Sequence, residues 1–159
     1  MKKMLLAAVA AVLMCACSGE REYLNYHGLS MGMPASKMAD SLLLQMQHVV
    51  VDTNESTEAS IVLVDTLAQN FSVTLYHQHD TITDILEEYK ASYNDSTTNL
   101  WQAKHDELQK EFGWPNMGKH GDLHKEATFE NKKGTVLLML LNTYSPTMSV
   151  RYSTSTTQN

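Results

Sequence analysis

Only two stretches of this chain have helical spacing, and each is followed by a run of short strand-like segments. Lys37 to Met46 sets Met38, Leu42 and Met46 four residues apart, with Ala39 and Leu43 beside them, and Ser36 stands where an N-cap would. Leu100 to Phe112 puts Trp101, His105, Leu108 and Phe112 on one face. The cluster Asp95-Ser96-Thr97-Thr98-Asn99 reads as its start, and Gly113 followed by Pro115 as its stop. Elsewhere the pattern is of strands: His48–Val51, Ala59–Leu67, His124–Glu130, Thr135–Asn142 and Thr147–Thr154, with a shorter run at Tyr23–Leu29; Thr81–Ala91 is ambiguous, its β-branched Thr81, Ile82, Thr83 and Ile85 favouring a strand. Asn70–Gln78 alternates cleanly, with Phe71, Val73 and Leu75 on one side and Ser72, Thr74 and Tyr76 on the other. Asp52–Glu58 and Asn116–Asp122 read as loops. Strands and helices do not alternate, so a parallel sheet is excluded in favour of an α+β fold, two helices packed on an antiparallel sheet. The order helix-then-sheet occurs twice and suggests two halves, although they share no appreciable identity.

The N-terminus is an address. Lys2 and Lys3 precede Met4–Met14, an unbroken apolar run of 11 residues. That is the length of a signal-peptide core, whereas a membrane-spanning helix needs ~20 residues. The following Leu13-Met14-Cys15-Ala16-Cys17 resembles a bacterial lipobox, in which a small residue precedes the cysteine that is lipidated. Cys17 fits that role better than Cys15 because Ala16 is small and Met14 is not; Met14 departs from the usual leucine. The organisation expected is a signal peptide over residues 1–16, a lipidated cysteine and tether over 17–22, a single domain over 23–154 and a disordered tail over 155–159. Lipidation consumes the one cysteine left after cleavage. The folded domain then has no disulfide, no thiol nucleophile and no cysteine-based zinc site. The lipid is its only expected contact with the membrane.

Charge narrows the function classes. The chain carries a net charge of -6, which excludes the basic footprint of a nucleic-acid binder. From Glu20 to Leu100 there are twelve acidic and three basic residues, whereas the remainder is close to balanced. Two catalytic signatures are absent: there is no His-Glu-x-x-His and no P-loop. Glu87 and Glu88 are adjacent, so a strand sends them to opposite faces and they form no catalytic pair. Asp52-Thr53-Asn54-Glu55 lacks the glycine and distal glutamate of a calcium loop. Histidines are the remaining chemistry-bearing type. His77 and His79 share one strand face if the strand stays regular, and His120 and His124 flank Asp122. They are the residues that a zinc or copper ion would use, but nothing in the sequence brings the two pairs together. No metal or cofactor is therefore expected. Trp114, between the helix stop and Pro115, is expected to staple back onto the helix end; the alternative is an exposed contact residue.

Several stretches carry a resemblance: Tyr23-Leu24-Asn25-Tyr26-His27-Gly28, Glu111-Phe112-Gly113-Trp114-Pro115, Phe129-Glu130-Asn131-Lys132-Lys133-Gly134 and Val150-Arg151-Tyr152. This pattern resembles small exported lipoproteins of Bacteroidota, a group without an assigned activity, so it implies origin and architecture only. The layout is also similar to the helix-then-sheet units of β-lactamase-inhibitor-like proteins and of the small lipoproteins of outer-membrane β-barrel assembly, which act by binding. The expectation is an outer-membrane lipoprotein, on the periplasmic side or the cell surface. It would dock an envelope protein or other envelope component without catalysis. The alternatives are an inhibitor or immunity protein that blocks a hydrolase or toxin, and histidine-based metal binding. Replacing Cys17 by serine is expected to move the protein from the membrane fraction to the soluble fraction, with loss of acyl mass from the amino-terminal peptide. An unmodified amino-terminal peptide in the wild type would contradict the anchor.

Overall fold

The computed structural model describes residues 22–67 and 70–155. The signal peptide, Cys17, all of the tether but Glu22, and the tail beyond Ser155 lie outside the described residues. The fold is α+β. A small hairpin, β1 (Asn25–Tyr26) and β2 (Leu29–Ser30), precedes helix α1 (Ala35–Gln45). Four strands follow: β3 (Val49–Val51), β4 (Ser60–Asp65), β5 (Phe71–Gln78) and β6 (Thr81–Lys90). Helix α2 (Asn94–Phe112) then leads into β7 (Asn116–His120), β8 (His124–Asn131), β9 (Gly134–Leu141) and β10 (Thr147–Thr154). The eight longer-range strands form one antiparallel sheet in the order β3-β4-β5-β6-β10-β9-β8-β7. Each half is a helix followed by a four-stranded meander, and the two meanders meet last strand to last strand.

That meeting is in register from Thr147 opposite Lys90 to Ser153 opposite Asp84. Helix α1 packs on β4 and β5, and α2 packs on β8, β9 and β10. Both helices lie on the face that carries the buried apolar residues Leu63, Val73, Leu75, Ile85, Val136, Leu138, Leu140 and Val150. Each such aliphatic side chain contributes about 1.5–3 kcal/mol on burial. The stretch before α1 fills the space over the central strands. Leu24, Tyr26 and Met31 are buried there, and the Tyr26 ring meets Tyr152 of β10 edge-on at 5.2 Å.

Local chemistry explains most element ends, and several differ from the sequence reading. The clean alternation of β5 holds, with Val73 and Leu75 fully buried. A register shift between Tyr76 and His77 then resets the pattern on β6, so Ile82 and Ile85, three apart, both face the core. His79 and Asp80 form the two-residue β5–β6 turn with φ of 51° and 61°, both left-handed, as a tight hairpin demands. Ser36 does not cap α1. The carboxylate of Asp80 accepts both the Ser36 N–H at 2.9 Å and its hydroxyl at 3.0 Å, a cap supplied by the neighbouring turn. Helix α2 starts at Asn94, well before Leu100, because the polar cluster lies inside it. Thr97 there is buried, bonding the Asn94 carbonyl and the Asn142 side chain, each at 2.9 Å. The stop at Gly113 is as expected, with φ of 86° and its N–H donated to the Gln109 carbonyl. Asn116–His120, read as loop, is edge strand β7. Its glycine and lysine hide the strand signal, and its pairing with β8 is shifted between Met117 and His120. Gly134 is required by close approach, since a Cβ there would lie 2.2 Å from the Ser153 carbonyl oxygen.

Asp84 sits at the junction of the halves, accepting from Ser153 Oγ at 2.7 Å and Arg151 Nε at 3.0 Å. Partial burial pushes its carboxyl pKa up, but the bonds from Ser153 and Arg151 offset this and hold it below the usual range. A depressed folded-state value gives stability that is full above the unfolded pKa of about 4 and is lost as pH falls through the folded value. Thermal melts from neutral pH down to about pH 3 should therefore show the wild type losing more stability than Asp84→Asn. Parallel curves would contradict this linkage.

Candidate functional site

Alternation along the strands that supply the core leaves a second set of side chains on the opposite sheet face, where neither described helix packs. On β4 these are Ser60, Val62 and Val64; on β5, Ser72, Thr74 and Tyr76; on β6, Leu86 and Glu88. The row continues through Ser149 and Arg151 of β10 to Leu137 and Met139 of β9. Glu87 and Glu88 do separate as their adjacency required, Glu87 into the core and Glu88 onto this open face. Over β4, β5 and β6 the face forms a depression of about 780 Å³, whose lining includes the turn residues Asp52 and Glu55. Asp52 holds that turn, its carboxylate accepting the Asn54 N–H at 2.9 Å. At the middle of the face, Arg151 is bonded to Asp84, and its guanidinium lies 5.8 Å from the Tyr76 ring centre.

A second polar group lies beneath the helices. Glu87 is fully buried, and its Oε1 accepts the Tyr26 hydroxyl at 2.8 Å. His27 Nε2 lies 3.5 Å from the same oxygen, and Lys104 Nζ 3.9 Å from Oε2. Burial pushes the Tyr26 phenol far above its ordinary value, and the Glu87 charge adds to that, so Tyr26 stays neutral and donates. Tyr152 is pushed up for the same two reasons in the same order. A cavity of about 230 Å³ beside them is lined by Tyr26, His27, Lys104, Glu107 and Tyr152. The carboxylate itself is enclosed and ties the β1–β2 hairpin to β6 through the Tyr26 hydroxyl. Sequence reasoning treated Glu87 only as half of a failed pair. The signal was present, because Ile85 and Tyr89, two residues either side on the same strand face, are apolar.

The histidines do not converge. His77 lies opposite Ile82, half-buried, and its Nδ1 has no hydrogen-bond partner among the described residues. His79 is in the turn, which corrects the expectation that both share a regular strand face. His124 Nε2 pairs with Glu126 Oε1 at 2.8 Å on β8, and β8 also pairs with the strand that carries His120. Strands β5 and β8 are four positions apart in the sheet, about 19 Å at the usual spacing, so one ion cannot draw ligands from both pairs. Among the described residues no group of three or more His, Cys, Asp or Glu side chains is placed to hold a metal ion. His105 packs as read, stacked on Trp101 at 5.0 Å and edge-on to Phe129 at 5.6 Å.

Trp114 does not staple the helix end. It is 87% exposed, and Phe112 covers Phe129 instead, with ring centres 6.3 Å apart. The opposite end of α2 also shows apolar side chains. Asn142 is buried there and ties three segments together: its amide donates to Thr98 Oγ1 at 3.0 Å and to the Asp122 carbonyl at 3.1 Å. Tyr93, Leu123 and Tyr144 stand exposed around that knot. Among the described residues no helix is long and apolar enough to cross a membrane. Comparison of the chain with protein-family models, with curated proteins and with solved structures gives no match.

The two tryptophans make the Trp114 assignment testable. Trp114→Ala is expected to change stability by no more than ~0.5 kcal/mol, as at an open surface position. Trp101→Ala is expected to cost about 3–5 kcal/mol. Denaturant melts of both variants, with iodide quenching of the wild type, check this; a large stability loss at Trp114 would restore the staple.

Proposed function

We propose that this protein is an exported, lipid-anchored binding module of the bacterial envelope, which docks a protein or other envelope component and performs no catalysis. The observation that carries the reading is the eight-stranded sheet with helices on one face only. An uncovered sheet face that mixes Val62, Val64, Leu86, Leu137 and Met139 with hydroxyls and charges has the make-up of an interaction surface. The sequence has one Gly-x-Ser-x-Gly, Gly28 to Gly32. Its Ser30 lies in the β1–β2 hairpin and accepts the Gly32 N–H at 3.2 Å instead of standing on a strand-to-helix elbow. That placement supports binding over turnover, as does the enclosure of Glu87 behind Tyr26. Cys17 supplies the anchor on this reading, at the outer membrane, and leaves the sheet face free for the partner. An inhibitor or immunity role is a narrower form of the same reading, favoured by the acidic residues of the depression, which would suit a basic cleft on a target.

A photoreactive amino acid placed at Thr74 or Met139 in the full chain, expressed in its own envelope, should give discrete higher-mass adducts. The same group at Gln102 or Glu111, on the outer side of α2, should give none. Adducts confined to the helix positions, or none at any position, would contradict the reading.

A further inference from the structure

We infer that the depression over β4, β5 and β6 receives a cationic, extended segment of a partner protein. The inference rests on the open-face reading and names the partner chemistry. Four carboxylates line the depression, those of Asp52, Glu55, Asp65 and Glu88, against the single ammonium of Lys90. Neither Glu55 nor Glu88 is ion-paired among the described residues. Arg151, on the β10 part of the face, is already committed to Asp84. The floor between the carboxylates is Val62, Val64, Thr74 and Tyr76, an apolar and hydroxyl surface on rigid strands.

Shape decides between a small molecule and a chain segment. Sites for small molecules enclose most of the ligand and are lined mainly by apolar groups. This depression has a sheet for its floor and is lined mostly by polar side chains. A lysine- or arginine-bearing segment lying across the strands meets the carboxylates with its charges and the floor with the stems of its side chains. Four of the twelve acidic residues between Glu20 and Leu100 lie on the lining of this depression.

The test uses the full chain in zwitterionic detergent and three twelve-residue peptides, alternating Lys-Thr, Gln-Thr and Glu-Thr. Binding is followed by fluorescence anisotropy of the labelled peptide and by amide shifts of the protein. The Lys-Thr peptide should shift amides of β4, β5 and β6 and bind more weakly as salt rises. Glu55→Gln with Glu88→Gln should weaken it about three- to tenfold, as expected for two charge pairs. Asp40→Asn with Glu111→Gln, the charge-matched pair on the helices, should change it less than twofold. Equal losses in the two double variants, or shifts centred on α2, would overturn the inference, since net charge alone would then explain the attraction. Equal affinity for the Gln-Thr peptide at the same strands would overturn the cationic partner and leave the open-face reading standing. No shift on the face with any peptide would also overturn the inference, and adducts at Thr74 in the crosslinking experiment would then show whether the face binds something else.

Discussion

The pairing of β6 with β10 is the constraint on which the rest of the structure depends. Each half of the chain is a helix and a four-stranded meander, and each meander buries one face under its own helix. Four strands and one helix leave a last strand with an unpaired edge, which is costly for a domain with no cysteine among its described residues to support it. Pairing the two last strands removes both edges at once and turns two marginal cores into one. The short strand β3 and the irregular β7 are left as the outer edges, the kind of strand that resists further pairing.

The same joint determines what lies on each face. On the helix side the space over β6 and β10, between α1 and α2, is filled by the segment from Leu24 to Met31. Tyr26 spans the joint: its hydroxyl meets Glu87 of β6 and its ring meets Tyr152 of β10. A carboxylate buried with this hydroxyl, an imidazole and an ammonium around it specifies where the hairpin sits more than it adds stability, because desolvation offsets much of the attraction. On the other side neither described helix is packed, and the joint makes one continuous surface from β3 to β7.

Much of this architecture was legible in the residues. The alternation of Phe71 to Tyr76, the four-residue spacing of Met38, Leu42 and Met46, and the Gly113-Pro115 stop are local signals, and local signals were read correctly. What failed was set by partners distant in sequence. Ser36 resembles a cap, but Asp80 supplies the cap from a turn 44 residues away. Asp95 to Asn99 resembles a helix start, but Thr97 belongs inside the helix because Asn142 is there to bond it. Asn116 to His120 carries no strand signal of its own and is held as a strand by β8. His77 and His79 part company because a bulge and a turn intervene within three residues. The open face was legible only in part: the adjacency of Glu87 and Glu88 put them on opposite faces, but which one faces out, and the acidic depression, required knowing that β4, β5 and β6 are neighbours.

Native-state hydrogen exchange tests most directly whether the two halves form one sheet joined at β6 and β10. The account predicts that amides of Ile85, Glu87, Val150 and Tyr152 are among the slowest to exchange, and that they open together with those of β5 and β9 in one global transition. Exchange of β10 at a distinctly lower free energy than β9, or separate opening of the halves, would contradict it.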